Sequence, residues 1–216
     1  MQRKLFIFVF TIVVVVFFLG AWLNLRVVEP VESTPVGGMA VNVSIGGPFE
    51  LTNHTGARVT DEFLRGSYAL IYFGYTFCPD ICPTGLGDIA VTLDELGDDG
   101  GHVIPVMITI DPERDTPEVL ADYVPLFHER LVGLTGTEAD IKDIAEKYRV
   151  FYRRFEDPNL TFYLMDHTSF IYLLDPKGRT VSMFRYGTSP EEMAGSIRKH
   201  MLSRANTYQT QFGSPP

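Results

Sequence analysis

The stretch Tyr68-Ala69-Leu70-Ile71-Tyr72-Phe73-Gly74 decides the fold, because it is an unbroken apolar run of strand length. A strand that is apolar on both faces is typical of a sheet covered by helices on both sides. A run with apolar residues at helical spacing follows and ends at Gly97, a typical stop signal; these residues are Leu86, Ala90, Leu93 and Leu96. The two runs predict a buried strand that leads into an amphipathic helix.

Further along the chain, strand and helix patterns continue to alternate. Residues 103–110 read as a second buried strand, and Thr116-Pro117-Glu118 has the cap, proline and acid of a helix start. Later patterns predict a helix over 137–148, a hairpin of strands 168–174 and 181–184, and a closing helix over 189–202. This order predicts an α/β sandwich with a thioredoxin-like fold, preceded by a small β-hairpin of residues 49–51 and 57–59.

The N-terminal segment has the length and composition of a membrane anchor. Residues 5–25 contain no charged side chain, and about 20 apolar residues are needed to span a bilayer as a helix. Arg3 and Lys4 precede the run, so the positive-inside rule predicts a cytoplasmic N-terminus and an exported remainder. The alternative is a cleaved signal peptide, whose apolar region would be shorter and would end in a small-x-small site. The anchor is preferred, with a bacterial inner membrane as its location.

The predicted order is therefore a cytoplasmic segment of residues 1–4, the anchor of 5–25, a linker of 26–46, a periplasmic domain of 47–203 and a loose tail of 204–216. The Pro- and Gly-rich composition of residues 26–46 is typical of a linker. Across the whole chain, 27 acidic residues against 18 Lys and Arg give a formal net charge of −9. That balance argues against nucleic acid, which binds clustered positive charge.

Only two cysteines occur, and they lie within one five-residue stretch, so they mark a local site and not a disulfide framework. Cys78 and Cys82 follow the strand of residues 68–74, at the edge where open α/β sheets bind ligands. Pro83 suits the first position of the next helix, so Cys82 is expected near the positive helix end, which favours thiolate. The two cysteines therefore have three possible interpretations: they bind a metal, they form the dithiol of an oxidoreductase, or they are inert buried side chains.

His167 is the candidate third ligand, because the loop before a late strand of a thioredoxin-like sheet lies against the cysteine loop. Structural zinc normally has four protein ligands, whereas two thiolates and one imidazole suit Cu(I). From the residues alone, a structural role for His167 stays equally open. Asp166 is a candidate for orienting the imidazole, or else a turn residue.

Three motifs in the same order resemble those of the Sco/SenC family: GYTFCPDICP at 74–83, DPERDTP at 111–117 and DHTSF at 166–170. The resemblance runs from about Phe49 to Met201. It implies a single-span anchor, a thioredoxin-like domain, and one copper ion, Cu(I) or Cu(II), held by Cys78, Cys82 and His167. It further implies delivery of that copper to cytochrome c oxidase subunit II, or preparation of its dinuclear CuA site.

A metal carrier is therefore expected, with other copper carriers or thiol reductants as further partners. The enzymatic alternative is a membrane-anchored thiol–disulfide oxidoreductase in which Cys78 and Cys82 cycle through a disulfide. A thioredoxin-like peroxidase usually needs an Arg beside its thiolate, and the sequence offers no candidate. Asp111 and Asp115 are expected to serve the turn and helix cap before residue 116, with support of the metal site as the alternative.

Overall fold

The computed structural model describes residues 45–156, 158 and 161–212, with side chains up to residue 204. The predicted membrane anchor of residues 5–25 lies outside the described residues, and so does nearly all of the predicted linker. Within the part that is described, no helix combines the length and the apolar character needed to cross a bilayer.

A seven-stranded mixed sheet has the strand order β2-β1-β5-β4-β3-β8-β9. Strand β3, Tyr68–Gly74, lies inside the sheet between β4 and β8, and every residue of it is buried. Strand β3 pairs in parallel with β4 and antiparallel with β8. The strands are β1 Glu50–Asn53, β2 Arg58–Thr60, β3 Tyr68–Gly74, β4 Val103–Thr109, β5 Val132–Thr135, β8 Phe170–Leu174 and β9 Thr180–Arg185.

Among the described residues, four α-helices accompany the sheet: α1 Ile81–Leu96, α2 Pro117–Tyr123, α3 Glu138–Tyr148 and α4 Pro190–Phe212. Helix α2 is capped as its sequence predicts, since the Thr116 hydroxyl accepts a hydrogen bond from the backbone of Val119. Helix α3 begins with a capping box between Thr137 and Asp140. Short 3-10 helices lie in the connections Asp61–Leu64, Gly97–His102 and Val124–Leu126.

Two further strands, β6 Tyr152–Glu156 and β7 Tyr163–His167, form a separate antiparallel hairpin. The sequence patterns predicted neither this hairpin nor β5. Strand β6 is almost wholly exposed, so it has no buried face and therefore no alternation of apolar and polar residues. Strand β5 has only four residues and contains Gly133, which weakens a strand pattern.

The thioredoxin-like α/β arrangement and the N-terminal hairpin are observed, but several predicted bounds are wrong. Helix α1 begins at Ile81, so Pro83 is its third residue and not its first. Strand β8 begins at Phe170 instead of residue 168, because His167 still belongs to β7. Helix α4 continues to Phe212, past the predicted end at 202, and takes up most of the predicted loose tail.

Candidate metal centre

Three side chains that could bind a metal meet at the carboxyl end of β3. One ligand atom from each of Cys78, Cys82 and His167 lies within 4.8 Å of the other two. Cys82 Sγ and His167 Nε2 lie 3.4 Å apart. Cys82 is fully buried, while Cys78 and His167 are partly exposed. The structure therefore brings the three predicted ligands together, with one side of the cluster open to solvent.

The cysteines are held by the turn between β3 and α1. Cys78 lies in the loop, and Cys82 is the second residue of the helix, whose backbone N–H points to the Cys78 sulfur at 3.4 Å. Gly74 ends the strand directly beneath them. A Cβ atom on Gly74 would lie 3.0 Å from Cys82 Sγ and 2.8 Å from the Tyr72 ring. Only glycine, which has no Cβ atom, leaves enough space at position 74 for the buried Cys82 sulfur.

The two thiols differ in their acidity. The pKa of Cys78 is lowered to about 3, chiefly because the Cys82 thiol donates a hydrogen bond to its sulfur, with further donation from backbone N–H groups. The pKa of Cys82 is raised, because its proton is held by Cys78 and because it is buried. The expectation that the helix terminus favours thiolate at Cys82 was therefore wrong for the metal-free protein: burial outweighs the helix dipole there, and Cys78 carries the charge.

The imidazole of His167 is oriented by a backbone carbonyl. Its Nδ1 lies 3.0 Å from the carbonyl oxygen of Thr168, which can only accept, so Nδ1 carries the proton. In the neutral imidazole the other nitrogen, Nε2, then carries no proton, and it is this nitrogen that faces the cysteines, as a metal ligand must. Asp166 does not orient the ring, because its carboxylate pairs with Arg153 at 2.7 Å on the exposed face of the hairpin.

Two tyrosine rings wall the site behind the imidazole. Tyr72 and Tyr75 approach the His167 ring edge-on, with centroids 6.3 and 6.0 Å away. The Tyr75 hydroxyl also accepts a hydrogen bond from the backbone N–H of Met165 at 3.2 Å, two residues before the histidine. These contacts limit the orientations that the ring can take.

Asp115 holds the cysteine loop by hydrogen bonds, although the sequence pattern favoured a role for it in the turn and the helix cap. Its carboxylate is fully buried and accepts hydrogen bonds from the Thr76 backbone (3.0 Å), the Thr76 hydroxyl (2.6 Å) and the Thr109 hydroxyl (2.6 Å). Burial raises the pKa of Asp115, although these donors oppose the shift. The neighbouring Asp111 binds Arg114 and accepts from the Tyr163 hydroxyl at 2.8 Å.

The donor set fits one soft, low-coordinate cation. Two thiolates and an imidazole in trigonal arrangement, with bonds of about 2.0–2.3 Å, would stand roughly 4 Å apart. The observed separations agree, so the ligands need to move little. Among first-row metals, Cu(I) is best suited to two thiolates and one imidazole without a fourth protein ligand.

Sequence reasoning missed three contributors to this site. The Thr168 carbonyl has no signal in a sequence, because every residue has one. Tyr75 was quoted only as part of a motif, and Arg114 was not considered, although it lies between two singled-out aspartates. The signal that could have identified Arg114 is a planar, permanently charged side chain three residues after Asp111, at hydrogen-bonding distance from a carboxylate in a turn.

Comparison with known proteins agrees with this geometry. The family model described as SCO1/SenC matches residues 38–202. An SCO2-like protein of Rickettsia conorii is 43% identical over 180 residues, 82% of this chain and 86% of that protein. Two solved structures are also similar, both described with copper bound. ScoI of Arabidopsis thaliana is 38% identical with a TM-score of 0.71, covering 74% of this chain and 99% of that one. ScoI of Bradyrhizobium japonicum is 44% identical with a TM-score of 0.67, covering 72% and 99%.

Proposed function

The chain belongs to the SCO1/SenC family, and from this premise we propose that it is a copper metallochaperone of cytochrome c oxidase assembly. Its cargo is one copper ion, held by Cys78, Cys82 and His167. The observation that carries the proposal is the approach of two sulfurs and one imidazole nitrogen to within 4.8 Å of one another. The copper bound in two solved relatives supports the choice of metal.

The unequal exposure of the ligands suggests how the ion leaves. Cys78 and His167 are accessible, whereas Cys82 is fully buried. A thiolate of an acceptor protein can approach the ion from the open side and replace Cys78 or His167 first, and Cys82 is released last. Each step exchanges one metal bond for another and leaves the valence of Cu(I) unchanged, so no oxidant or reductant is needed.

The proposal extends to the acceptor and to the place of action. The acceptor is subunit II of cytochrome c oxidase, whose CuA site the chain loads or prepares. Residues 5–25 anchor the chain in a bacterial inner membrane, residues 26–46 serve as the linker, and the domain of residues 47–203 faces the periplasm. Such an anchor confines the carrier to the membrane that contains its acceptor.

A second candidate function is thiol–disulfide exchange, favoured by the acidity difference between the two cysteines. The ionised and accessible Cys78 would attack a disulfide of the target, forming a mixed disulfide and releasing one target thiolate. The buried Cys82 would then attack Cys78 and release the second. The target gains two electrons and its two thiols, while this chain is oxidised to the Cys78–Cys82 disulfide, which a thiol reductant must restore.

The proposal is tested by titrating the reduced full-length chain, purified in detergent, with Cu(I) buffered by a chromophoric chelator. We expect one equivalent to bind, and His167→Ala to weaken binding by at least tenfold with the fold intact. The matched control is His102→Ala, since His102 is exposed and immediately precedes β4, at the amino end of the parallel strand pair. Unchanged affinity in His167→Ala would exclude the imidazole, and turnover of a peptide disulfide without copper binding would favour the second function.

A further inference from the structure

The ligand His167 is carried by a hairpin that is not part of the main sheet. Strands β6 and β7 hydrogen-bond to each other as a two-stranded sheet, and neither joins the ladder of the seven-stranded sheet. The cysteines instead belong to the β3–α1 junction of the main body. A two-stranded hairpin is marginally stable alone, so the contacts that dock it decide how far the imidazole lies from the sulfurs.

One face of β7 makes those contacts. Residues at alternate positions of a strand share a face, and here these are Tyr163, Met165 and His167. His167 approaches Cys82 at one end of the strand, and the Met165 N–H bonds Tyr75 in the middle. Tyr163 is at the other end, roughly 13 Å from His167 along the strand.

Arg114 binds that far end of the strand. One of its terminal nitrogens donates to the Tyr163 backbone carbonyl at 3.0 Å, and its guanidinium lies 3.7 Å from the centroid of the Tyr163 ring. The same guanidinium lies 4.9 Å from the ring centroid of Phe77, the residue before Cys78. Asp111 fixes the arrangement by pairing with Arg114 and accepting from the Tyr163 hydroxyl.

We propose that Arg114 is a positioning residue for His167: it clamps the hairpin onto the cysteine loop and so sets the copper affinity without touching the ion. The inference rests on the proposed function for its effect on copper, but the docking of the hairpin stands apart from it. Lysine cannot substitute, because a flexible ammonium can neither lie flat between Tyr163 and Phe77 nor bond Asp111 and the Tyr163 carbonyl in one plane.

The first of two experiments is a double-mutant cycle, in which copper affinity is measured with chelator-buffered Cu(I) on the full-length chain. Arg114→Lys is expected to lower affinity about 10- to 100-fold, the range typical of residues that orient a metal ligand. Because Arg114 acts through the imidazole, the same change made in a His167→Ala background should cause little further loss. Equal losses in both backgrounds, or no loss in either, would overturn the inference.

The second experiment uses the metal-free protein, so it remains decisive even if no copper binds to the wild type. Amide hydrogen exchange at Met165 reports docking, since this N–H bonds Tyr75 on the main body. Arg114→Lys should speed that exchange at least tenfold while leaving the β3 amides as slow as before. Arg153→Gln is the control, because the ion-pair partner of Arg153 among the described residues is exposed Asp166, on the outer face of the hairpin. Unchanged Met165 exchange in Arg114→Lys would show that the hairpin docks without the clamp; failure of wild-type copper binding alone would overturn only the proposed function.

Discussion

Substituting Gly74 by alanine should disturb the site without altering any ligand. The added methyl would lie 2.8 Å from a carbon of the Tyr72 ring and 3.0 Å from Cys82 Sγ. Carbon atoms normally pack at about 3.5–4.0 Å, so the overlap with the ring is roughly 0.7 Å. Tyr72 cannot retreat easily, because it is 1% exposed and is enclosed by other residues of the hydrophobic core.

Overpacking of this kind costs about 1–3 kcal/mol in a well-packed core. At the middle of that range, Gly74→Ala should lower the Tm by about 4–8 °C for a domain of this size. Part of the strain is relieved by moving the Cys82 sulfur by a few tenths of an ångström. We therefore expect Cu(I) affinity to fall about tenfold, as it does when a ligand is misplaced by its surroundings.

Urea unfolding and chelator competition on the same preparations measure both effects. Gly87→Ala is the matched control, because Gly87 lies in helix α1 and an added Cβ would meet nothing within 4 Å. This helical Gly→Ala change should stabilise the protein by about 0.5–1 kcal/mol and leave copper binding unchanged. The reasoning is refuted if Gly74→Ala is as stable and binds copper as tightly as the wild type.

Three further predictions concern the residues around the metal. Iodoacetamide should modify Cys78 well before Cys82 in the reduced metal-free protein, because Cys78 is accessible and has the lowered pKa; peptide mass mapping that finds equal rates would contradict this. Asp166→Ala should leave Cu(I) affinity unchanged and alter stability by less than about 1 kcal/mol, because among the described residues Asp166 makes an ion pair with exposed Arg153 alone; a clear loss of affinity in the chelator assay would restore Asp166 to the site. The raised pKa of Asp115 means that the folded protein holds this proton to higher pH than the unfolded chain, so its stabilising contribution is full below about pH 4 and is lost as pH rises through the folded pKa. Asp115→Asn should abolish that part of the pH dependence in urea unfolding, and identical slopes for variant and wild type would disprove it.

The parts of the fold that could be predicted are those whose sequence pattern is set by burial. Strand β3 was predicted with its observed bounds because all seven residues are enclosed. Helix α3 was equally clear, since Thr137 caps it and four buried residues line one side. The hairpin of β6 and β7 could not be predicted, because its residues face solvent or a neighbouring loop and no apolar period results.

At the metal centre, the sequence identified the candidate residues but could not predict the environment of each side chain. Residue types and element order made His167 a candidate partner for Cys78 and Cys82 but left a structural role equally open, and the family resemblance decided for the ligand. Which cysteine ionises depends on burial, and Cys82 is sealed beneath the loop although it lies at a helix terminus. The partner of the imidazole depends on where the chain turns after β7, where the Thr168 carbonyl, and not Asp166, meets Nδ1.

The most direct test of the account is X-ray absorption at the copper edge of the full-length chain loaded with one equivalent of Cu(I). The wild type should show two sulfur neighbours and one imidazole nitrogen, and His167→Ala should lose the nitrogen while keeping both sulfurs. Spectra that are the same for the two proteins would contradict a copper centre built from Cys78, Cys82 and His167.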